Sequence, residues 1–199
     1  MITSVAALLL AAGRSSRMGS CKPLLPLGDK TVLDRCLKTL HQGGVNDIFV
    51  VVSINGEEVA RAAHEHPVQI VVNSDSRGDM ASSIRIGRDR TALETSGIIV
   101  ALCDCPLVLP TTIAALIEQH SKHVDCIITP TYLGRRGHPL LLPRPILEEL
   151  TEGTTLRDVL KRNAIRIREV PLEDSGILTD MDTPEDYRTV CGMLPMISF

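Results

Sequence analysis

The chain has no tryptophan and only four aromatic residues, Phe49, Tyr132, Tyr187 and Phe199. Single-stranded nucleic acid is held by stacking bases on aromatic rings along a basic groove. This sequence offers neither, because its 21 Lys and Arg are outnumbered by 24 Asp and Glu. These absences argue against a nucleic-acid partner and against a sugar groove floored by aromatic faces. No run approaches the roughly 18 apolar residues that would span a bilayer, so no membrane partner is expected. The longest apolar run, Val5 to Ala12, follows Met1-Ile2-Thr3-Ser4, which carries no Lys or Arg, and opens directly into Gly13-Arg14. It reads as a buried strand rather than a signal-peptide core, and the expected location is cytoplasmic. Cys21, Cys36, Cys103, Cys105, Cys126 and Cys191 form no CxxC pair and show no zinc spacing. They are expected to be reduced thiols serving as small hydrophobes.

What is present suits an α/β protein. At 199 residues and 44% hydrophobic, the chain can form one domain over residues 1–199 that buries roughly 70% of its unfolded surface. Apolar, β-branched runs recur at Val5 to Ala12, Ile48 to Ser53, Gln69 to Asn73, Gly97 to Cys103 and Cys126 to Thr131, and read as strands buried on both faces. Between them, Val32 to His41, Glu57 to His66, Ala81 to Thr91 and Thr111 to His120 have helical spacing. Such alternation predicts crossover connections and a mostly parallel sheet covered by helices on both sides. Further on, Pro139 to Leu142 and Ile165 to Val170 read as strands, and Pro145 to Leu150 and Thr155 to Arg162 as short helices. Thr183-Pro184-Glu185-Asp186 has an N-cap, a proline at the first helical position and acids in the first turn.

Ligands of such sheets sit outside the carboxyl ends of the strands, which directs attention to the segment after each strand. After the first comes Gly13 to Lys22, where glycines, hydroxyls and the cations Arg14, Arg17 and Lys22 form a mixture suited to phosphate. Lys22 is followed by Pro23, so this is not a Walker A loop, and no GxGxxG fingerprint is present. A solvated Gly/Ser/Arg turn is the plain alternative. Asp104 ends the apolar run Ile98 to Cys103 and must either cap the next segment or hold a cation such as Mg²⁺. Of Asp180 and Asp182, which precede the capped helix, Asp182 is the better second carboxylate, although acids there also stabilise a helix start unaided. Ser82 and Ser83 could read a nucleoside or simply begin a helix. His120 and His123, lacking a third partner, are expected to face solvent, as are His64 and His66.

Taken together, LAAGRSSRMGSCKPLLPLG at Leu10 to Gly28, GDMASSIRIG at Gly78 to Gly87, CDCP at Cys103 to Pro106, GRRGHP at Gly134 to Pro139 and DMDTPEDY at Asp180 to Tyr187 resemble the MobA-like nucleotidyltransferases. Within that family they resemble the molybdenum cofactor cytidylyltransferase branch. The resemblance implies a Rossmann-like three-layer α/β sandwich with a mostly parallel mixed sheet. It also implies Mg²⁺-dependent transfer of a nucleoside monophosphate, with release of pyrophosphate, to the terminal phosphate of an acceptor, molybdopterin in that branch. It places Ala11, Ala12, Gly13, Arg14, Ser15 and Lys22 on the triphosphate loop, with Arg17, Lys22 and Asp104 catalytic. Asp104 and Asp182 become metal ligands. Asn73, Ser82 and Ser83 fall near the nucleoside, and Arg135 and His138 near the acceptor. Ala12 gives the LAAG form similar to the CTP-using branch. Other readings are a related enzyme with another base or a sugar-phosphate acceptor, and a maturation factor that hands cofactor to a molybdenum hydroxylase.

Overall fold

The computed structural model describes residues 4–13, 19–75 and 79–194. Its elements in chain order are β1 (Val5–Leu10), β2 (Pro26–Leu27), β3 (Lys30–Thr31), α1 (Val32–Gln42), β4 (Asp47–Ser53), α2 (Glu57–Ala63), β5 (Gln69–Asn73), α3 (Met80–Arg88) and β6 (Gly97–Leu102). They continue with α4 (Pro110–Lys122), β7 (Ile127–Tyr132), β8 (Arg135–Arg136), β9 (Leu140–Pro143), α5 (Arg144–Leu147), α6 (Leu156–Arg162), β10 (Ile167–Pro171) and α7 (Pro184–Met193). The main sheet runs β10-β7-β9-β6-β1-β4-β5, with β8 paired to β7, while β2 and β3 form a separate hairpin. Strands β5, β4, β1 and β6 are mutually parallel, and β10 is parallel to β7. Strand β9 is antiparallel to both β6 and β7. The expected mostly parallel sheet is therefore present.

The burial pattern explains the layers. Ala6, Ala7, Leu8 and Leu9 are all fully buried. Alternate side chains of β1 enter opposite cores: Ala7 and Leu9 pack with residues of α1, α2, α4 and α7, and Ala6 and Leu8 with residues of α3, α5 and α6. This is the period-two alternation of a strand covered on both faces. Helix starts follow from local chemistry. Thr31, Thr155 and Thr183 each form a capping box with the acid three residues later, and Pro184 occupies the first turn of α7. Helix α4 has no side-chain cap of its own. Instead the buried carboxylate of Asp174 accepts from the Leu109 N–H at 2.9 Å and from the Thr112 hydroxyl at 2.6 Å.

Several expectations are corrected by the fold. Helices α2, α3 and α5 end at Ala63, Arg88 and Leu147 rather than at His66, Thr91 and Leu150. His120 does not face solvent: it is fully buried, with Nε2 3.2 Å from Ser96 Oγ and Nδ1 without a partner. The reason is Gly97 at the start of β6, where a Cβ would stand 2.6 Å from His120 Nε2. The missing side chain is the space the imidazole fills. His66 also finds a partner, with Nε2 2.7 Å from Asp34 Oδ1.

From β1 the chain steps to β4 and β5 on one side, then crosses to place β6 on the other. The C-terminal ends of β1 and β6 thus flank the point where strand order reverses, the position at which open α/β sheets bind ligands.

Gly176→Ala should lower stability by about 1–3 kcal/mol, because its Cβ would fall 2.1 Å from the Leu107 carbonyl oxygen. Gly192→Ala, in α7 with nothing within 4 Å, should be neutral or stabilising by up to about 1 kcal/mol. Urea unfolding measures both, and equal losses would contradict the packing described. Burial lowers the His120 pKa below its ordinary 6.5. The unfolded chain therefore binds the extra proton first, so stability is complete above about pH 6.5 and falls as pH drops below it. Replacing His120 with Gln should flatten that part of the stability profile.

Candidate active site

The last register pair of β1 and β6 is Leu10 with Leu102, and the Cys103 N–H donates to the Leu10 carbonyl at 3.1 Å. The Ala11 N–H donates to Val51 of β4 at 2.8 Å. Ala11, Ala12 and Gly13 therefore leave the sheet beside Cys103 and Asp104. They line a cleft of about 960 Å³ together with Gly19, Ser20 and Cys21, the Ser53 to Val59 segment after β4, and Asn73 and Asp75 after β5. That volume is at the upper end of small-ligand sites. A Cβ at Gly13 or Gly19 would meet nothing within 4 Å, so the backbone there is uncovered, and Gly19 has φ +65°. Arg14, Ser15 and Arg17 lie outside the described residues.

Lys22 starts a short 3-10 turn, Lys22–Leu24, whose Pro23 is buried. Its ammonium donates to Asp182 Oδ1 at 2.7 Å, with the two side chains 13% and 45% exposed. Asp182 is not the helix cap. That role belongs to Thr183 with Asp186, and the Asp182 N–H donates to Asp186 Oδ2 at 3.1 Å. The carboxylate is left to Lys22 and its surroundings. Asp104 is half-buried, and its backbone carbonyl accepts from the Met181 N–H at 2.9 Å. Met181 is fully buried, so this bond pins the Asp180 to Asp182 segment against the end of β6. Burial raises the Asp104 pKa, Lys22 pulls it down, and Asp182 and Asp180 raise it again. The four groups form one electrostatic cluster, joining a cation of the first loop to the acid after β6 and the acids before α7.

His138 borders the same cluster. Burial lowers its pKa, and Asp104 and Asp180 push it upward. Its backbone N–H donates to the Ile177 carbonyl at 2.9 Å, and its ring Nδ1 is buried without a partner. Gly137 beside it admits no side chain, since a Cβ would lie 2.3 Å from the Ile177 oxygen. Arg135 and Arg136 are exposed on β8, and Arg136 bonds Glu169 at 2.7 Å. Asn73, Ser82 and Ser83, expected near the nucleoside, are turned on one another. Asn73 Nδ2 donates to Ser82 Oγ at 2.9 Å and to Ser83 Oγ at 3.0 Å, and all three are buried. In this arrangement they brace the connection from β5 to α3. Cys103 and Cys105 are buried on either side of Asp104, with the Cys36 thiol 3.7 Å from the Cys103 carbonyl. All six cysteines are free, and burial pushes the Cys105 thiol up.

The donor set fits a hard divalent cation. Among the described residues no three His, Cys, Asp or Glu side chains converge as a metal cage. A Mg²⁺-like ion needs only one or two carboxylates when phosphates and water complete its shell. Asp182 raises the cost of ionising Asp104, and Lys22, paired with Asp182, lowers it. Sequence reasoning missed the Ser53 to Val59 wall of the cleft, which follows β4 and was open to the same carboxyl-end rule. It also missed Asp174 as the remote cap of α4, for which no local signal exists.

Comparison with known proteins gives the site its context. The MobA-like NTP transferase domain model matches residues 7–169. Nicotine blue oxidoreductase of Paenarthrobacter nicotinovorans is 32% identical, over 92% of this chain and 95% of its own. The molybdenum cofactor cytidylyltransferase of Escherichia coli K12 is 28% identical, over 94% and 96%. Rv0371c of Mycobacterium tuberculosis superposes with a TM-score of 0.83 at 30% identity, covering 96% of this chain and 99% of that one. A second structure of Rv0371c, in complex with manganese, gives a TM-score of 0.80 at 29% identity, over 96% and 100%. The chain described here belongs to the MobA-like NTP transferase family and is a nucleotidyltransferase.

Proposed function

We propose that the protein transfers CMP from CTP to the terminal phosphate of a molybdenum pterin cofactor and releases pyrophosphate. The observation that carries this reading is the cluster of Lys22, Asp104 and Asp182 at the end of β6, next to the end of β1, beyond which Gly13 is uncovered. The match to the molybdenum cofactor cytidylyltransferase, 28% identical over 94% of this chain, supports the pterin acceptor. Ala12, which gives the LAAG form similar to the CTP-using branch and lines the cleft, supports the choice of CTP.

The chemistry requires an acceptor phosphate oxygen to form a bond to the α-phosphorus while the bond from that phosphorus to the bridging oxygen of the β-phosphate breaks. With a second pKa of about 6, the acceptor phosphate is already mostly dianionic at neutral pH, so no general base is needed. The difficulty is repulsion between anions. Asp104 and Asp182 would hold Mg²⁺, which when bound supplies charge neutralisation at the phosphates. Lys22 stabilises the charge that accumulates on departing pyrophosphate. The backbone at Ala12 and Gly13 orients the nucleotide, and His138, kept neutral by burial, borders the acceptor side. A maturation factor serving a molybdenum hydroxylase would keep the same pockets without turnover.

Pyrophosphate release measured with CTP, GTP, ATP and UTP, each with molybdenum-loaded pterin, should show preference for CTP. Asp104→Asn should lower that rate by about a hundredfold, and wild-type turnover in the variant would overturn the metal assignment. GTP preference would overturn the cytidylyl assignment alone. The resemblance to nicotine blue oxidoreductase calls for one control, NAD(P)H consumption, expected to be absent. Arg135→Ala should raise the acceptor KM several-fold and leave the CTP KM unchanged; a change confined to CTP would reject an acceptor role for Arg135.

A further inference from the structure

Lys22 and Asp182 are 160 positions apart, yet their side chains meet at 2.7 Å. Both partners are held from behind. The Leu25 N–H donates to the Lys22 carbonyl at 3.1 Å, Pro23 is buried, and the Tyr187 hydroxyl of α7 donates to the Pro26 carbonyl. On the other side, Asp182 is fixed through its own N–H to Asp186 and through the neighbouring Met181 N–H to the Asp104 carbonyl. The backbones are therefore set, and the long lysine stem is the adjustable part. Its ammonium occupies a carboxylate oxygen that a divalent cation would need.

Resting on the nucleotidyltransferase reading above, we propose that Lys22 is the resident counter-ion of the Asp104 and Asp182 carboxylates. It excludes free divalent cations and surrenders Asp182 only when the metal arrives with nucleotide phosphates. The argument is one of charge balance. A free ion entering beside Lys22 would meet a positive charge already paired to one of its two acids and would have to compete with it for that oxygen. A metal nucleotide brings its own anions, so the lysine exchanges a carboxylate for a phosphate at little cost, and the metal takes the vacated oxygen. Lys22 thus selects the metal-nucleotide complex over the bare ion. The same group that stabilises leaving pyrophosphate holds the metal site closed beforehand. Asp180, exposed next to Met181 and close enough to Asp104 to raise its pKa, adds to the negative charge that would remain without the lysine.

The test is Mn²⁺ binding to the purified full chain without nucleotide, followed by electron paramagnetic resonance of the free ion. Lys22→Met should bind Mn²⁺ about tenfold or more tightly than wild type, a gain that a lysine acting only on phosphate would not produce. Lys22→Arg should resemble wild type, and adding Asp182→Asn to Lys22→Met should abolish the gain. With a non-hydrolysable CTP analogue present, wild type should bind Mn²⁺ tightly and the advantage of Lys22→Met should shrink. Mn²⁺ binding that requires Asp104 but is unchanged or weaker in Lys22→Met overturns this inference while leaving the metal site standing. Binding indifferent to Asp104→Asn overturns the metal site, and the inference with it. Circular dichroism and thermal melting confirm that each variant is folded.

Discussion

The parallel pairing of β1 with β6 is the constraint on which the site depends. It sets Leu10 beside Leu102 in register, and the bond from Cys103 to Leu10 carries the alignment one residue past the end of the sheet. A shift of one residue would turn every core side chain of β1 to the wrong layer, since Ala6 and Leu8 serve one core and Ala7 and Leu9 the other. Packing on both faces therefore fixes where the chain leaves the sheet. Hydrophobic burial beneath them thus sets the segment of Ala11 to Gly13 and the segment of Cys103 and Asp104 side by side at the sheet's end.

Electrostatics then acts on positions that packing has chosen. Asp104 is placed where burial and two neighbouring acids oppose its charge, and Lys22 only partly offsets them. An isolated carboxylate in such a place would be costly. On the reading proposed above, a divalent ion arriving with phosphates would offset that cost. Cys103 and Cys105 on both sides of Asp104 are buried, and burial pushes the Cys105 thiol up, so it adds no charge of its own. These apolar flanks strengthen the charge interactions of the acid between them.

Much of this was legible in the residues. The runs at β1, β4, β5 and β6 are apolar and bounded by polar residues, so their existence followed from pattern, but β5 is not buried on both faces as expected, because it ends the sheet and leaves Val72 exposed. Thr183 and Pro184 marked the start of α7 correctly. The antiparallel direction of β9 was not legible, because strand direction is set by where a connection can land, and the Gly137 to Pro139 turn returns the chain beside β6. The two-residue strands of the β2 and β3 hairpin are too short to show a period. The burial of His120 depends on a missing side chain at Gly97, and the cap of α4 on Asp174, which lies 65 positions from Leu109. In the site, the acid after β6 and the cationic loop announced themselves by composition. The Asn73, Ser82 and Ser83 knot shows the opposite case, in which residues that do meet spend their hydrogen bonds on one another.

The role of α7 follows from these contacts. Its first turn and the residues before it carry Asp182 and the Met181 bond to Asp104, while Tyr187, one turn later, holds the Pro26 carbonyl just beyond Lys22. One helix thus grips both sides of the crevice, and Val190 anchors it in the core that α1 and α4 share. This clasp helps set the distance between the cation at Lys22 and the acids. Tying the following turn to a packed helix confines the freedom to the lysine side chain, which is the part that must move between carboxylate and phosphate.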